Sequence, residues 1–244
     1  MSATSCIVDR FEELAVLSEG DKRLLDALEK DLRQYSAGQI LRSVGEKNPA
    51  FYTLRSGWAC SVRLLPDGQR QILEIFVDGQ IMGLAEVGSD QALTELVALT
   101  DIEACPFPAD SLEQVFKESS LLTRLLFMSM ARDQALLMER IMNIGRRKGV
   151  ERLAHFLLEL KIRKRCREDS MELPLNQSVI GDALGMSSVH VSRSMSSLRK
   201  LGLLHTDGNH FRIVDMDATA NFCGFCPKYL DARSTQHPGL DAGR

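Results

Sequence analysis

The 244-residue chain lacks any apolar run that approaches the roughly 18 residues needed to span a membrane. Its first residues, MSATSCIVDRFEEL, also lack the basic start and apolar core of a secretory signal. We therefore expect a cytoplasmic protein without a membrane partner. In that compartment the six cysteines are expected to be reduced thiols, metal ligands or redox sensors.

Motifs of several common enzyme classes are also missing. The chain has no phosphate-cradling Gly-Lys loop, no G-x-S-x-G elbow and no H-E-x-x-H pair. We therefore do not expect an enzyme. What is present is an ordinary soluble composition, 44% hydrophobic and 26% charged, with room for one large or two medium domains.

Residues 176–204 have the pattern of a helix, a tight turn and a second helix. Apolar residues recur at helical spacing up to Gly185, which can take the left-handed conformation that ends a helix. Ser187 or Ser188 can then cap the second helix. Such a pair is typical of a helix-turn-helix, whose second helix can enter the DNA major groove.

Two short β-rich runs, 203–206 and 210–214, follow directly and flank Asp207-Gly208-Asn209. This pattern predicts a strand, a tight turn and a strand, which together form a small β-wing. Polar and basic residues on one helix face, followed by a wing, favour a winged helix that binds duplex DNA. The alternative, an ordinary pair of packed helices, accounts for neither feature.

The distribution of charge supports the same interpretation. Residues 146–214 hold 13 Lys/Arg against 7 Asp/Glu, a net charge of +6 in a chain whose total is −3. Such asymmetry is expected when one domain meets phosphates and another does not. The alternative is a chance cluster of solvated charge.

Between residues 35 and 108, short β-rich runs are separated by glycines about every eleven residues. This spacing suggests a compact barrel or roll. An amphipathic helix near residues 21–33 precedes it. The predicted strands cover residues 39–41, 51–54, 59–64, 71–76 and 96–99.

A long helix is predicted over residues 119–144, followed by a hinge at 145–149 and a helix at 150–160. Apolar positions of the long helix step by three and four, as in a coiled-coil seam, and Leu126 and Met138 widen the stripe. We expect this helix to pair with a second copy; the alternative is a core helix of a monomer. The predicted dimerisation residues are Phe127, Met130, Gln134, Leu137, Ile141 and Ile144, with Gln134 as a polar interruption that can set the register.

The segment YSAGQILRSVGEKNPAFYTLRSGWACSVRLLPDGQRQILEIFVDGQIMG resembles the β-roll of the CRP/FNR superfamily of transcription regulators. A long helix and a helix-turn-helix follow in that family's order, so the resemblance covers residues 20–218. It implies an α+β fold with an N-terminal cyclic-nucleotide-binding-like β-roll, a long dimerisation helix and a C-terminal winged helix-turn-helix.

The resemblance divides the chain into four parts. Residues 1–115 form the sensor domain, 116–147 the dimerisation helix and hinge, 148–218 the DNA-binding domain, and 219–244 a tail with a Cys-x-x-Cys whose last residues are expected to be mobile. The implied function is that of a transcription regulator that binds a palindromic site as a homodimer and responds to a redox, oxygen or small-ligand signal. The expected partners are duplex DNA, a second copy and RNA polymerase.

In the FNR branch the second helix of the motif begins with a Glu-x-x-Ser-Arg pattern, which falls here on residues 189–193. Arg193 suits a bidentate contact with guanine, Ser192 a neighbouring base or phosphate, and Val189, a departure from the pattern, a thymine methyl group. These three are the predicted base contacts. The predicted backbone contacts are Ser187, Ser188, His190, Arg199 and Lys200.

Cyclic-nucleotide members of the superfamily carry a glutamate for the ribose and an Arg-Ser pair for the phosphate. Their places fall here near Leu84 and at Ala92 and Leu93. A buried phosphodiester without its arginine would be an uncompensated charge. Cyclic AMP is therefore not an expected ligand.

Oxygen-sensing members hold an iron–sulfur cluster with several N-terminal cysteines and one in the β-roll. Cys105 matches the latter, but Cys6 is the sole N-terminal candidate, and Cys223 and Cys226 lie near the other end. A cluster on some of these four is one hypothesis. The alternative is that cysteines such as Cys60, Cys105 and Cys166 are packing residues. The rival function is a ligand-binding module that acts on a protein partner rather than on DNA.

Overall fold

The computed structural model describes residues 5–47, 50–166, 168 and 170–230. The segment STQHPGLDAGR, for which mobility was predicted, lies outside these residues. The N-terminal half begins with helices α1 (Cys6–Glu12) and α2 (Glu19–Leu28). Its strands are β1 (Arg33–Tyr35), β2 (Ile40–Arg42), β3 (Phe51–Ser56), β4 (Trp58–Leu64), β5 (Arg70–Val77), β6 (Ile81–Met82), β7 (Glu95–Ala98) and β8 (Ile102–Phe107).

These eight strands form two antiparallel four-stranded sheets, in the orders β1-β8-β3-β6 and β2-β7-β4-β5. The long β4–β5 hairpin turns at Gly68, whose φ of 84° requires a residue without a Cβ. The sheets enclose a small core that includes Leu54, Phe76 and Leu96. The predicted β-roll is confirmed.

The C-terminal half is mainly helical. Its helices are α3 (Leu112–Glu118), α4 (Ser120–Arg146), α5 (Gly149–Arg163), α6 (Gln177–Leu184), α7 (Ser188–Lys200) and α8 (Met216–Cys223). Strands β9 (Ser170–Glu172), β10 (Leu204–Asp207) and β11 (His210–Ile213) form an antiparallel sheet in the order β10-β11-β9. The winged helix-turn-helix predicted for this half is therefore confirmed, with a third strand added to the wing.

Three details differ from the predictions. Helix α4 continues through Gly145 and ends at Arg146, so only two residues separate it from α5. Of the two residues predicted to widen the seam, Met138 is 55% exposed, but Leu126 is 3% exposed and packs in the core beneath α1 and α2. Helix α8 is an additional element, capped by Asp215, whose side chain accepts from Ala218 N–H at 2.9 Å.

The β4–β5 hairpin shares one apolar core with the C-terminal helices. Trp58, Ile72 and Ile75 pack in the same cluster as Leu157 of α5 and Ile180 of α6. The β-roll and the helix-turn-helix therefore touch through buried apolar side chains, as well as through the short α4–α5 connection. No helix among the described residues is long and apolar enough to cross a membrane.

Candidate nucleic-acid interface and sensor sites

The turn between α6 and α7 has little steric freedom. Gly185 adopts φ 62° and ends α6, as its sequence position predicts. A Cβ on Gly181 would collide with the carbonyl oxygen of Met186, so the first helix can lie close to the turn only with glycine at this place. Ser187 rather than Ser188 is the N-cap of α7, and its Oγ accepts from His190 N–H at 3.2 Å.

The start of α7 presents the predicted base-contact residues on the surface. Val191 and Leu198 are buried and anchor the opposite face of the helix. Val189 is 59% exposed, Arg193 is exposed and Ser192 is partly exposed. Within the described residues the Arg193 guanidinium has no hydrogen-bond or ion-pair partner. Its donors are therefore available to a ligand.

The predicted backbone-contact residues lie around the same face but differ in how they are held. The His190 imidazole packs over the start of α5, since a Cβ on Gly149 would lie 2.6 Å from His190 Nε2. Arg199 donates to Ser196 Oγ and to Thr206 Oγ1, both at 3.0 Å, which joins α7 to the wing. Ser188 and Lys200 are exposed.

Helix α4 has an apolar stripe that the described residues leave uncovered. Phe127 and Ile141 are each 63% exposed, and Leu137 is 48% exposed. Gln134 lies on the same exposed face, while Ile144 is half-buried. The opposite face of the helix packs on the protein's own core through residues such as Leu122, Leu125 and Leu136. Exposed apolar patches of this kind mark surfaces that bind another protein.

A cavity of about 670 Å³ lies between this helix and the β-roll, and we call it the roll cavity. Its lining includes Phe76, Leu84 and Leu93 from the roll and Met130 and Leu137 from α4. The positions that match the nucleotide-binding residues of the superfamily thus lie at or beside a real cavity. These positions carry the apolar residues Leu84, Ala92 and Leu93.

The structure brings two of the four candidate cysteines together. Cys6, at the start of α1, and Cys105, on β8, form a disulfide, with their Cα atoms 6.4 Å apart. The carboxylate of Glu29 lies within 4.8 Å of both sulfur atoms and accepts from Ser5 Oγ at 2.7 Å. These three side chains are the one group of potential metal ligands found within the described ranges.

Cys223 and Cys226 lie elsewhere in the fold. Cys223 belongs to the core of the C-terminal helices, and its thiol donates to Thr219 O at 3.1 Å. Burial raises the pKa of the Cys223 thiol to about 11, which opposes thiolate chemistry. Cys226 is an exposed free thiol. If the disulfide were reduced, the Cys6 and Cys105 sulfur atoms and the Glu29 carboxylate would give the site two thiolates, fewer than the four that hold a typical cluster.

A buried polar network, absent from the sequence-based predictions, connects the β-roll to α4 and α5. Arg163 of α5 donates to Glu159 Oε1 at 3.1 Å, to Glu74 Oε1 at 3.0 Å and to the Ile75 carbonyl at 2.6 Å. Arg140 of α4 donates to Glu159 as well, at 3.3 Å. Burial alone would raise the pKa of Glu159, but the charges of Arg140 and Arg163 outweigh it and lower that pKa.

The chain after α8 closes this network from the other side. Tyr229 donates to Glu159 Oε2 at 3.0 Å, and Arg147 donates to the carbonyl of Cys223 at 2.8 Å. His155 is fully buried, with Nε2 at 3.0 Å from Glu139 Oε1. Burial, and next the charge of Arg147, lower the pKa of His155. Within the described part of the basic run that begins at Lys161, Arg163 is buried and cannot face phosphates.

Two family matches cover most of the described chain. Residues 32–119 match the cyclic nucleotide-binding domain, and residues 151–221 match the Crp-like helix-turn-helix domain. The first spans the β-roll and α3, and the second spans nearly all of α5, the helix-turn-helix and the wing. Helix α4 lies between them.

Similar proteins align with most of the length of this chain. A probable transcriptional activator of Rhizobium leguminosarum bv. viciae is 27% identical over 221 residues, which cover 89% of this chain and 91% of that protein. The transcriptional activator protein FnrA of Stutzerimonas stutzeri is 25% identical over 219 residues, 88% of each chain. The structure of FixK2 from Bradyrhizobium japonicum matches with a TM-score of 0.73 and 26% identity, covering 78% of this chain and 96% of that one.

Proposed function

The chain belongs to the CRP/FNR family of transcription regulators, whose members are not enzymes, and from this premise we propose that it binds a palindromic DNA site as a homodimer. Residues 148–218 would read the DNA, 116–147 would pair with a second copy, and 1–115 would sense the signal. Activation of transcription through RNA polymerase, in the cytoplasm, follows from the likeness to named transcriptional activators.

The observation that carries DNA binding is the exposed start of α7. Arg193 projects there without a partner among the described residues, beside Val189 and Ser192. A guanidinium fork can donate to guanine O6 and N7 together, a contact worth about 1–3 kcal/mol of discrimination between bases. Arg199 and Lys200 lie farther along the helix and, as phosphate contacts, would position it without specifying sequence.

The exposed stripe of α4 supports the homodimer. Helix α4 has 27 residues, so it measures roughly 40 Å at 1.5 Å per residue. Its outer apolar side chains, Phe127, Leu137 and Ile141, repeat at coiled-coil spacing and are exposed in the part of the chain that the structure describes. A second α4 would bury them and would place two copies of α7 for half-sites roughly 34 Å apart.

DNA binding is tested with a panel of palindromic duplexes that carry the same base-pair change in both half-sites. Arg193→Ala should lose its preference at one G·C position, at a cost of about 1–3 kcal/mol per half-site, and should bind the duplex altered at that position as the wild type does. Lys200→Ala is the matched control. It should weaken every duplex equally and reduce the slope of log affinity against log salt by about 1 per protomer, hence by about 2 for the homodimer.

Equal losses on all duplexes for Arg193→Ala would show that this side chain does not read a base. A protein that ignores palindromic duplexes under both reducing and oxidising conditions would contradict the proposed function as a whole.

For the signal we propose the oxidation state of Cys6 and Cys105. Their sulfur atoms are in bonding contact, which ties α1 to β8 of the roll. On oxidation the two thiols would lose two electrons and two protons to an oxidant such as a peroxide, which would be reduced to water and an alcohol or to water alone. Helix α1 packs in one core with the start of α4, through Phe11 and Leu122, so the bond lies close to the dimerisation helix.

The redox proposal predicts different DNA affinities for the oxidised and reduced protein. The difference should disappear in Cys105→Ser and persist in Cys60→Ser, because burial raises the pKa of the free Cys60 thiol to about 12 and leaves it inert. Alkylation followed by mass spectrometry counts the free thiols in each state. If an anaerobic preparation bound iron and sulfide, and Cys105→Ser did not, the result would show that the signal is sensed by a cluster and not by the disulfide.

A further inference from the structure

The loop between β6 and β7 buries one carboxylate, that of Glu86. Leu93 N–H donates to Glu86 Oε2 at 2.7 Å, and Thr94 N–H donates to the same oxygen at 3.3 Å. The Thr94 hydroxyl donates to the other oxygen, Oε1. Arg42 Nη2 lies 2.9 Å from Oε2. Two backbone N–H groups, one hydroxyl and one guanidinium thus converge on a single anionic group.

The surroundings are built around the guanidinium as much as around the carboxylate. Arg42 is 1% exposed, and among the described residues its Nε has no hydrogen-bond partner. A Cβ on Gly83, which adopts φ 80°, would lie 2.5 Å from Arg42 Nη1, so glycine makes the room that the side chain occupies. A buried guanidinium is tolerated only beside an anion, since an isolated buried charge is very costly.

We propose that these donors form an anion-binding cradle that the chain fills with its own Glu86 carboxylate, so that Glu86 excludes phosphate esters and other anions from the roll cavity. Glu86, Thr94 and Gly83 all line that cavity, and the roll as a whole matches a cyclic nucleotide-binding domain. The roll cavity would then accept ligands that are uncharged or cationic and mainly apolar.

Other charged groups also line the roll cavity, and they are of both signs. They are the carboxyl groups of Glu74 and Asp133 and the guanidinium groups of Arg63 and Arg140. Burial, and next the charge of Glu74, raise the pKa of Asp133 to about 8, so negative charge is disfavoured at that carboxyl group. The exclusion of anions is therefore assigned to the occupied cradle and not to the charges in the rest of the cavity.

An ordinary structural ion pair and a filled cradle predict the same loss of stability without Glu86, but a different response to added anions. Removal of Glu86 destabilises the protein in both cases, because Arg42 loses its counter-charge. Only a cradle would then accept a small anion from solution. Thermal unfolding with and without added anions separates the two, and no DNA is needed, so the outcome does not depend on whether the protein binds a palindrome.

The test variant is Glu86→Ala, which empties the cradle. The matched control is Glu113→Ala, which removes a carboxylate from the exposed ion pair between Glu113 and Lys117. Glu86→Ala should lower the midpoint of thermal unfolding by roughly 6–20 °C in chloride buffer. Sodium formate, acetate or inorganic phosphate should restore a large part of that loss. The wild type and the control should move by no more than about 1 °C with these anions or with cyclic AMP, beyond the general effect of salt.

The proposal is overturned if Glu86→Ala shows no specific response to any of the three anions, or if an anion that stabilises Glu86→Ala stabilises the wild type as much. Should Glu86→Ala fail to fold in chloride, it is purified in formate instead, and unfolding on removal of formate is the supporting result. The double variant Arg42→Met/Glu86→Leu removes both charges; it should be more stable than Glu86→Ala and indifferent to formate. A double variant no more stable than Glu86→Ala in chloride would also overturn the proposal.

Discussion

Replacing Arg163 by methionine should be among the most damaging single changes in this protein. Methionine keeps much of the apolar stem and removes the guanidinium, which donates to Glu159, Glu74, the Ile75 carbonyl and Gln80 at 2.6–3.1 Å. Glu159 would keep Arg140 and Tyr229, but Glu74 would lose its close cation. Removal of one partner from a buried ion pair costs about 3–5 kcal/mol of unfolding free energy.

The chain offers a matched control two residues away. Arg165 pairs with Glu13, but its side chain is 59% exposed, so Arg165→Met should cost no more than about 1 kcal/mol. Both variants are compared with the wild type by urea unfolding at one protein concentration. The fluorescence of Trp58, the only tryptophan, reports the junction directly, because it is 5% exposed and packs in the core shared with α5.

A second substitution tests the physical cause. If the cost comes from an unpartnered Glu74 carboxylate, then adding Glu74→Gln to Arg163→Met should recover at least about 1 kcal/mol, a coupling that appears in a double-mutant cycle. An Arg163→Met variant as stable as Arg165→Met would refute the reasoning. So would a fully additive cycle.

Two further outcomes are expected. Ile141→Glu places a charge in the exposed stripe of α4 and should yield a monomer in sedimentation experiments at concentrations where the wild type is a dimer. A variant that stays dimeric would show that the interface lies elsewhere. Because the pKa of His155 is lowered by burial, the unfolded chain binds a proton below about pH 6.5 that the folded protein refuses, so unfolding free energy should fall from pH 7.5 to pH 5.5. His155→Gln should flatten that slope, and a slope that persists unchanged would show that other groups cause it.

The helix-turn-helix could be predicted from sequence because its determinants are local. Gly185 ends one helix, Ser187 caps the next, and apolar residues at helical spacing anchor both. The wing follows from a glycine turn between two short β-rich runs. The boundaries were less predictable: Gly145 was expected to break α4, but one glycine costs a long packed helix only about 1 kcal/mol, and the helix continues.

The sensor-side features depend on tertiary contacts and could not be predicted in the same way. Cys6 and Cys105 are 99 residues apart, and nothing local pairs them. Glu86 is a single carboxylate in a turn, and its role appears only when Arg42 is brought beneath it. Arg163 reads as one of several solvated basic residues, yet the packing of α5 on β5 buries it. The sequence shows which residues are charged, but whether a charged side chain is buried depends on the tertiary contacts of the fold.

The β4–β5 hairpin has a practical consequence for anyone who builds chimaeras from this protein. Its tip is fastened to α6, where Arg70 Nη2 lies 2.7 Å from Asp182 Oδ2 and Gln71 donates to the Asp182 carbonyl. A swap made at residue 147 would leave Trp58 and Ile75 facing a foreign set of helices. The unit to transplant is therefore the C-terminal helix-turn-helix half together with the β4–β5 hairpin. A chimaera joined at residue 147 should show the effects of a disrupted interface rather than those of the exchanged half.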